Sequence, residues 1–315
     1  MKITILDDYQ GVALSMADWS EVHKLAEVRV CRELLTGEAL QEAISDADII
    51  CAMRERTPFD RAQLQQLPKL KLLITSGMRN AAIDMDAARE LGVVVSGTPN
   101  NGAAAAEHTW ALILATVRHI PLEDQRIRQG QWQTTVGGDL KGKTLGIVGL
   151  GNLGQQVARV AQVFGMKVLA WSPNLTAERA AAAGVEYADK QRLLQQSDIV
   201  TLHMKLSEST HHLLQADDLA LMPAHGILIN TSRGPLVEEN ALIAALSNGQ
   251  IAAAGLDVFD QEPIAPDHPL LKLSNTVLTS HVGFVTKETY TLFYQGMVDA
   301  IVAFCRGAPI KILNG

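Results

Sequence analysis

Three side chains in the second half of the chain together offer a cation, an acid and an imidazole. Arg233 lies in the segment INTSRG, Glu262 in GLDVFDQEP and His281 in TSHVG. An arginine can hold a carboxylate through two parallel hydrogen bonds, and a histidine can take or return a hydroxyl proton near neutral pH. An acid beside a histidine fixes the tautomer of the ring and favours its charged form. Hydride transfer from a hydroxy acid needs these residue types, although each of the three is equally compatible with a structural role.

Each of these segments follows an apolar run that is predicted to be a β-strand, and such runs alternate with helical patterns along the chain. Ligands of doubly wound sheets bind at the carboxyl ends of strands, so the three side chains should reach one crevice. The predicted strands are residues 3–6, 47–53, 71–75, 93–96, 144–148, 167–170, 198–202, 226–230, 252–256 and 276–279. This alternation predicts an α/β chain with parallel sheets.

The segment TPNNG near residue 100 contains several residues that break regular structure, and we expect a boundary between two α/β units there. A long helix over residues 103–118 follows the boundary. The last helix, over residues 286–306, follows the final strand and could belong to either unit.

A glycine loop provides the strongest local signal in the sequence. In TLGIVGLGNLGQQVARV a predicted strand runs into Gly149, Gly151 and Gly154 and then into a helix. The first glycine permits a tight turn, the second lets the backbone approach a pyrophosphate, and the third lets helix and strand pack closely. Together with Asn152 and Leu153, these glycines are predicted to bind a dinucleotide at the helix N-terminus.

The residue that ends the second strand of this unit should indicate which nicotinamide dinucleotide binds. An acid there would hold the ribose hydroxyls of NAD, but the sequence has Ser172 and no carboxylate. The nearest arginine, Arg179, is expected on the next helix rather than beside the strand. Ser172 and Asn174 fit either NAD or NADP, or an ordinary turn, so the preference stays open.

The composition excludes several other classes of protein. The 315 residues carry a formal net charge of −7 and no run of basic residues, so a nucleic-acid-binding surface is not expected. No stretch has the apolar length of a membrane span, and the N-terminus MKITILDDYQ indicates a first strand rather than a signal peptide. The three cysteines are far apart and form no metal-binding spacing. We therefore expect reduced thiols, no metal and a cytoplasmic protein.

The chain resembles the D-isomer-specific 2-hydroxyacid dehydrogenases, which include phosphoglycerate, glyoxylate/hydroxypyruvate and D-lactate dehydrogenases. Several motifs in the right order carry this resemblance over nearly the whole chain. They are TPNNGAAAAEHTWALILA, LKGKTLGIVGLGNLG, SDIVTLHMKLSEST, LINTSRGPLVEENAL, AAGLDVFDQEP and TSHVGF.

The resemblance implies two Rossmann-like doubly wound parallel-sheet domains. Residues 1–100 plus 285–315 would form a substrate domain that is discontinuous in sequence. Residues 101–284 would form a nucleotide-binding domain that includes the linking helix. The chain would transfer a hydride between NAD or NADP and a small D-2-hydroxy acid or 2-oxo acid. It would act as a homodimer with the helix around Trp110 at the interface, although the apolar run WALILA fits packing within the chain equally well.

The resemblance also implies roles for single residues. Arg233 would bind the substrate carboxylate and carbonyl, His281 would be the acid/base, and Glu262 would be its partner. The other residues implied to line the cofactor site are Met204, Thr231, Ser232 and Asp257, the last of them on the nicotinamide side.

The first domain is expected to supply the rest of the substrate pocket. The loop TSGMRN contains Gly77, and in the family this loop gives backbone N–H groups to the substrate carboxylate. Met78 and Arg79 depart from the residues that relatives usually carry. Arg54 matches a position that often faces the cleft, so Arg54 and Arg79 could meet a second anionic group on the substrate. Both arginines fit solvated surface charges equally well.

Two other functions are compatible with parts of this pattern. Some members of the family are dinucleotide-sensing corepressors that bind protein partners and keep an Arg, a Glu and a His of this kind. We expect an enzyme instead, because the chain ends soon after its last helix and has no added interaction segment. A dehydrogenase of another family, such as an L-specific lactate enzyme, is disfavoured by the order of the three residues after the glycine loop. Two aromatic residues beyond the last of them, Phe284 and Tyr290, could be a wall of the pocket or part of a core.

Overall fold

Two parallel β-sheets each form the centre of a separate unit in the computed structural model, which describes all 315 residues. The first unit comprises Met1–Asn101 and Val285–Gly315, and the second comprises Gly102–Phe284. None of the helices combines the length and the apolar character that crossing a bilayer requires. The three cysteines are unpaired.

The sheet of the first unit has five strands, and every neighbouring pair is parallel. The strands are β1 (Lys2–Ile5), β2 (Glu27–Val30), β3 (Ile49–Ala52), β4 (Leu72–Thr75) and β5 (Val94–Gly97). They pair in the order β2-β1-β3-β4-β5, which is a doubly wound order that reverses between β1 and β3. All residues of β3 and β4 are buried, as expected for a parallel sheet with both faces covered. The helices before the second unit are α1 (Ser20–Leu25), α2 (Gly37–Ile44), α3 (Arg61–Gln65) and α4 (Met85–Glu90), with a 3-10 helix at Ala13–Ser15.

The sheet of the second unit has seven parallel strands. They are β6 (Thr144–Val148), β7 (Lys167–Trp171), β8 (Glu186–Tyr187), β9 (Ile199–Leu202), β10 (Ile227–Asn230), β11 (Ala253–Leu256) and β12 (Thr276–Leu278). Their order is β12-β11-β10-β9-β6-β7-β8, the Rossmann order extended by one strand, and it reverses between β6 and β9. The helices are α5 (Ala104–Val117), α6 (Ile120–Arg128), α7 (Asn152–Val163), α8 (Ala177–Ala182), α9 (Lys190–Gln196), α10 (Ala216–Leu219) and α11 (Glu239–Ser247), with 3-10 helices at Gly234–Leu236 and Pro269–Lys272.

Apolar side chains cover both faces of the second sheet. On one face, α5 packs against α7 and covers β10 to β12. α7 covers β6 and β7, because it presents Val157, Ala158 and Ala161 at helical spacing. Small residues at these positions let α7 approach the sheet closely. On the other face, α9, α10 and α11 cover the sheet with mainly leucine side chains. The carboxyl ends of the strands are therefore held at one edge by a well-packed core.

The final helix, α12 (Lys287–Cys305), belongs to the first unit, where it buries Phe293 and Tyr294 completely. The residues after α12 pair with β5 in the antiparallel sense at Ser96 and Ile312. The side chain of Asn314 then accepts a hydrogen bond from the N–H of Val95 at 2.9 Å and donates one to the carbonyl of Val93 at 2.8 Å. The C-terminal segment therefore completes the sheet edge that the N-terminal segment leaves open.

The predicted fold class is confirmed: both sheets are parallel and doubly wound, and each predicted strand exists. Two short strands were not predicted. β2 alternates exposed and half-buried residues at the edge of its sheet, and both residues of β8 are exposed, so neither forms an apolar run in the sequence.

Candidate active site

The glycine loop between β6 and α7 has open backbone where a dinucleotide would need it. At Gly149 φ is +105°, and a Cβ there would lie 2.6 Å from the carbonyl oxygen of His203. A Cβ at Gly154 would clash with the carbonyl of Gly149, so only glycine allows this turn and this packing of helix on strand. A Cβ at Gly151 would meet no atom within 4 Å. The loop therefore leaves room beside Gly151 for a pyrophosphate to approach the backbone.

The N-terminus of α7 presents hydrogen-bond donors beside the same loop. No side chain caps this helix, and the backbone N–H groups of Asn152 and Leu153 have no partner in the structure. Free N–H groups and the positive end of the helix dipole attract phosphate groups. The residues of the loop and of the first helical turn thus fit a dinucleotide.

Two predicted cofactor residues lie next to this loop. Met204 follows β9, and its sulfur lies 2.9 Å from the position that a Cβ of Gly149 would take. Ser172 follows β7, which pairs with β6 up to Val148 and Trp171. Because the N–H of Gly149 donates to the carbonyl of Trp171 at 2.8 Å, the end of β7 is fastened to the glycine loop.

Thr231 and Ser232 follow β10, and their hydroxyl groups bond within the protein. The Thr231 hydroxyl lies 2.8 Å from the hydroxyl of Thr109 on α5. The Ser232 hydroxyl donates to the carbonyl of Leu202, at the end of β9, at 2.7 Å. These bonds fix the turn after β10 against α5 and β9.

His281 and Glu262 are in direct contact. The Nδ1 atom of His281 lies 2.5 Å from Oε2 of Glu262, whose Oε1 accepts the backbone N–H of Phe259 at 3.0 Å. An ionised carboxylate can only accept hydrogen bonds, so Nδ1 carries the ring hydrogen and Nε2 is the basic nitrogen of the neutral ring. Nε2 has no protein partner, and 27% of the side chain is exposed. The imidazole can therefore exchange a proton with a ligand through Nε2.

The turn that carries Arg233 is fixed by its neighbours Asn230 and Gly234. The buried Asn230 amide donates to the carbonyl of Arg233 at 2.8 Å and accepts a backbone N–H from within the same turn at 3.0 Å. A Cβ at Gly234 would clash with the backbone of Phe259. The turn after β10 therefore packs directly on the backbone that leads to Glu262.

Asp257 holds the loop that presents His281. Its carboxylate is buried and accepts hydrogen bonds from the Thr279 hydroxyl at 2.6 Å, the Val282 N–H at 2.9 Å and the Gly283 N–H at 2.8 Å. These donors flank His281, whose φ of +53° is a left-handed backbone conformation. That conformation costs a non-glycine residue on the order of 1 kcal/mol, so the surrounding bonds must stabilise it.

His108 on α5 completes the network around Asp257. Its Nε2 lies 3.0 Å from the Thr279 hydroxyl and 3.2 Å from a carboxylate oxygen of Asp257. Burial raises the pKa of Asp257, but hydrogen bonds from His108, Thr279 and Val282 outweigh burial and hold this pKa below its usual value. The sequence reasoning did not single out His108, although it lies in the stretch TPNNGAAAAEHTWALILA that carries part of the resemblance.

The predicted substrate residues of the first unit lie where β3 and β4 end. The backbone N–H of Arg54 donates to the Ser76 hydroxyl at 2.8 Å, and its guanidinium donates to the Ser76 carbonyl at 3.4 Å. A Cβ at Gly77 would clash with this guanidinium, so the structure brings Arg54 and Gly77 together. Met78 and Arg79 are exposed, and their backbone N–H groups have no partner.

The two aromatic residues beyond His281 have different surroundings. The ring of Phe284 lies edge-on to His281, with 5.8 Å between the ring centroids. Tyr290 is 2% exposed in the first unit, where its hydroxyl donates to Gln10 at 3.1 Å and its ring packs against Tyr294. Tyr290 is therefore part of a core. No group of three His, Cys, Asp or Glu side chains is placed to hold a metal ion.

Comparison with known proteins relates the chain to one group of dehydrogenases. Residues 110–283 match the family model described as D-isomer specific 2-hydroxyacid dehydrogenase, NAD binding domain. Over 281 residues the chain is 37% identical to a glyoxylate reductase of Korarchaeum cryptofilum, with 87% of this chain and 84% of that protein covered.

Solved structures of the same kind are similar over almost the whole chain. A phosphoglycerate oxidoreductase of Vibrio cholerae is 34% identical with a TM-score of 0.92, covering 98% of this chain and 100% of that one. A D-lactate dehydrogenase of Aquifex aeolicus, complexed with NAD and lactic acid, is 26% identical with a TM-score of 0.81 and 99% coverage of both chains. An acyclic imino acid reductase in complex with NADPH and D-Arg is 27% identical with a TM-score of 0.76 and 99% coverage of both chains.

The network around Asp257 leads to a prediction about stability and pH. We expect Asp257→Asn to destabilise the second unit by about 2–4 kcal/mol at pH 7, because an amide cannot accept all of these donors. Since the folded-state pKa of Asp257 is depressed, its contribution is present above the unfolded-state pKa of about 3.9 and is lost as the pH falls through the folded-state value. The variant should therefore lose less stability than the wild type on acidification. Thermal unfolding followed by circular dichroism from pH 7 to pH 3 measures this.

The exposed acid Asp267 provides a matched control, since Asp267→Asn should leave both stability and its pH dependence unchanged. Parallel pH dependences for the wild type and Asp257→Asn would contradict the assigned role.

Proposed function

The chain belongs to the D-isomer specific 2-hydroxyacid dehydrogenases, and from this premise we propose how its residues act. It is an oxidoreductase that interconverts the CH–OH group of a D-2-hydroxy acid and the carbonyl of a 2-oxo acid, with NAD or NADP as its cofactor. We propose that His281 is the acid/base of this reaction. The contact between His281 and Glu262 is the observation that carries the proposal.

The tautomer of His281 allows the ring to transfer a proton in both the oxidation and the reduction of the substrate. In oxidation, Nε2 of the neutral ring takes the proton from the α-hydroxyl, and the carboxylate of Glu262 stabilises the imidazolium that forms. In reduction, the protonated ring returns this proton to the carbonyl oxygen. Glu262 also orients the ring, because its own carboxylate is held by the N–H of Phe259. Hydride acceptance or donation is the chemistry that the nicotinamide supplies when bound.

Arg233 is proposed to bind the carboxylate, and the carbonyl in the 2-oxo form, of the substrate. A guanidinium can donate two parallel hydrogen bonds to a carboxylate, which fixes the α-carbon in one orientation. The turn around Arg233 is held by Asn230 and by the packing of Gly234. This packing would keep the turn of Arg233 at a fixed position relative to Glu262 while substrates enter and leave.

The second unit is proposed to be the nucleotide-binding domain. Gly149, Gly151 and Gly154, with the first turn of α7, would hold the pyrophosphate. Asp257 would lie on the nicotinamide side, and the remaining residues that would line the site are Asn152, Leu153, Ser172, Met204, Thr231 and Ser232. The side chain of Asp257 would act through the loop of His281 as well, since that loop supplies most of its donors.

Replacing the acid/base tests the central proposal. We expect His281→Ala to lower kcat by about 100- to 10,000-fold, because positioned proton transfer contributes this much to a reaction. The dissociation constant of the dinucleotide should stay within about twofold of the wild-type value, since the imidazole is not among the groups proposed to hold the dinucleotide. Loss of nicotinamide absorbance with glyoxylate, hydroxypyruvate or pyruvate measures the rate, and calorimetry measures the binding.

The exposed histidine His23 provides a control, because His23→Ala should keep full activity. A His281→Ala protein with near wild-type turnover would overturn the assignment.

The first unit is proposed to be the substrate domain, with Gly77, Met78, Arg79 and Arg54 in its share of the pocket. The free N–H groups of Met78 and Arg79 could cradle the substrate carboxylate, as in a backbone anion site. The side chains of Arg54 and Arg79 add positive charge at the same strand ends. We propose that this charge favours a substrate with a second anionic group.

A pair of substrates tests the role of Arg79. We expect Arg79→Ala to lower kcat/KM for oxaloacetate about tenfold more than for pyruvate, because only oxaloacetate has a second carboxylate. Steady-state kinetics on both substrates measures the ratio. Arg61→Ala is the matched control, since Arg61 is an exposed arginine that pairs with Glu90. An equal fall for both substrates, or no fall, would contradict the proposal.

We further propose a homodimer formed by the second unit. Large apolar side chains are exposed on α6, on the segment after it and at the end of α7, all next to α5. They are Ile120, Ile127, Trp132, Val136, Val160, Val163 and Phe164. Monomers rarely expose such a set, and a second copy of the chain could bury it isologously. Trp110 would lie beneath this surface rather than in it, because it is only 6% exposed and packs against Phe164.

A charge placed in this surface tests the dimer. Val163 is 87% exposed, so Val163→Glu should not disturb the fold of the monomer but should bury a charge in the interface. Light scattering during gel filtration should give twice 34.0 kDa for the wild type and 34.0 kDa for the variant. Leu91→Glu, at an exposed site of the first unit, should remain dimeric. A monomeric wild type would contradict the proposal.

A further inference from the structure

The turn that follows β7 carries a hydroxyl group and an amide group, and no carboxylate. Ser172 is the first residue after the strand, and its carbonyl accepts the N–H of Leu175 at 3.0 Å, which closes the turn. The turn is fastened to the glycine loop, because the N–H of Gly149 bonds the carbonyl of Trp171. Whatever dinucleotide lies on the glycine loop must therefore place its adenine ribose near this turn.

The charge at this position decides which ribose the site accepts. A carboxylate at the end of the second strand accepts hydrogen bonds from the ribose hydroxyls of NAD and repels a 2′-phosphate. An uncharged residue with an arginine nearby accommodates the phosphate of NADP. Ser172 is uncharged and so does not repel a 2′-phosphate. Its half-buried hydroxyl can donate a hydrogen bond to a phosphate oxygen.

Arg179 reaches this turn from α8. Although it lies seven residues after Ser172, its guanidinium folds back and donates to the carbonyl of Asn174 at 3.0 Å. Its backbone N–H bonds the hydroxyl of Thr176, which caps the helix and fixes where the side chain starts. Only one guanidinium donor is used, so the remaining donors face the solvent beside the turn.

Glu178, the acid that precedes Arg179 in the sequence, is engaged elsewhere. Hydrogen bonds from its own backbone N–H and from Thr176 lower the pKa of its carboxyl and direct it to the start of α8. The carboxylate of Glu178 is therefore occupied by the helix end, while Arg179 is directed to the turn.

We propose that Ser172, Asn174 and Arg179 form a site for the 2′-phosphate of NADP, and that the chain prefers NADP(H) to NAD(H). The proposal rests on the proposed function only in placing the dinucleotide on the glycine loop. It assigns a guanidinium–phosphate ion pair to Arg179 and phosphate hydrogen bonds to the side chains of the turn.

Binding of two nucleotides that lack the nicotinamide tests the site without any reaction. We expect calorimetry to give a dissociation constant for adenosine 2′,5′-bisphosphate at least tenfold lower than that for 5′-AMP. Arg179→Ala should remove most of this difference and leave the affinity for 5′-AMP unchanged. Ser172→Asp should weaken the bisphosphate further, because it restores the repulsive charge. The control Arg192→Ala removes an exposed arginine of the next helix, α9, that pairs with Glu186 of β8, and it should change neither constant.

Kinetics then separates this proposal from the proposed function. The wild type should show a kcat/KM for NADPH at least tenfold above that for NADH, and Arg179→Ala should lower the NADPH value alone. Equal affinity for the two nucleotides, or an unchanged bisphosphate affinity in Arg179→Ala, would overturn the phosphate site. Activity with NADH as good as with NADPH would overturn the preference and leave the dehydrogenase assignment intact. An inactive protein that still prefers the bisphosphate would contradict the dehydrogenase assignment and support the phosphate site.

Discussion

A single buried carboxylate, that of Asp257, determines whether the second unit can present its imidazole. His281 sits in a left-handed backbone conformation that a side chain disfavours, and the donors on both sides of it converge on Asp257. A buried charge without partners would be costly, so carboxylate and loop stabilise each other. Without the carboxylate the loop would relax, and without the loop the carboxylate would have to be protonated or exposed. The geometry of the imidazole thus depends on a residue that never touches it.

The same edge of the sheet is built from close backbone approaches. Gly234 lets the turn of Arg233 rest on the backbone beside Phe259, and Gly154 lets α7 rest on the turn at Gly149. Such contacts leave no freedom for the strand ends to move independently, because no flexible side chain lies between them. The approach at Gly234 therefore holds the turn that carries Arg233 against the backbone segment that leads to Glu262.

The sequence was sufficient to predict the features that depend on local patterns. The apolar strands, the glycine loop and the positions of Arg233, Glu262 and His281 at strand ends all follow from patterns within about ten residues. The structure brings Glu262 into contact with His281, and the catalytic role of this pair stays a prediction. The edge strand β2 was missed because it buries little apolar surface, so its composition resembles that of a loop.

Other features could not be read from the sequence because they depend on contacts between distant segments. His108 lies far along the chain from Thr279, and only the packing of α5 against β12 brings them together. Arg179 lies on the next helix, as expected. The hydrogen bond from its guanidinium to the carbonyl of Asn174 depends on the side-chain rotamer, which the sequence does not determine. The burial of Tyr290 depends on α12 packing in the first unit, which the residues alone left open.

The position of α12 also has a consequence for the order in which the protein folds during synthesis. All residues of the second unit leave the ribosome before α12 does, so that unit can fold while the first is still incomplete. Until α12 emerges, the sheet of β1 to β5 lacks the side chains of Phe293 and Tyr294 and exposes apolar surface. The edge of β5 is likewise unpaired until the segment around Ile312 reaches it. An open strand edge is a template for pairing with other chains, so this interval is when the nascent protein is most exposed to aggregation and most dependent on chaperones.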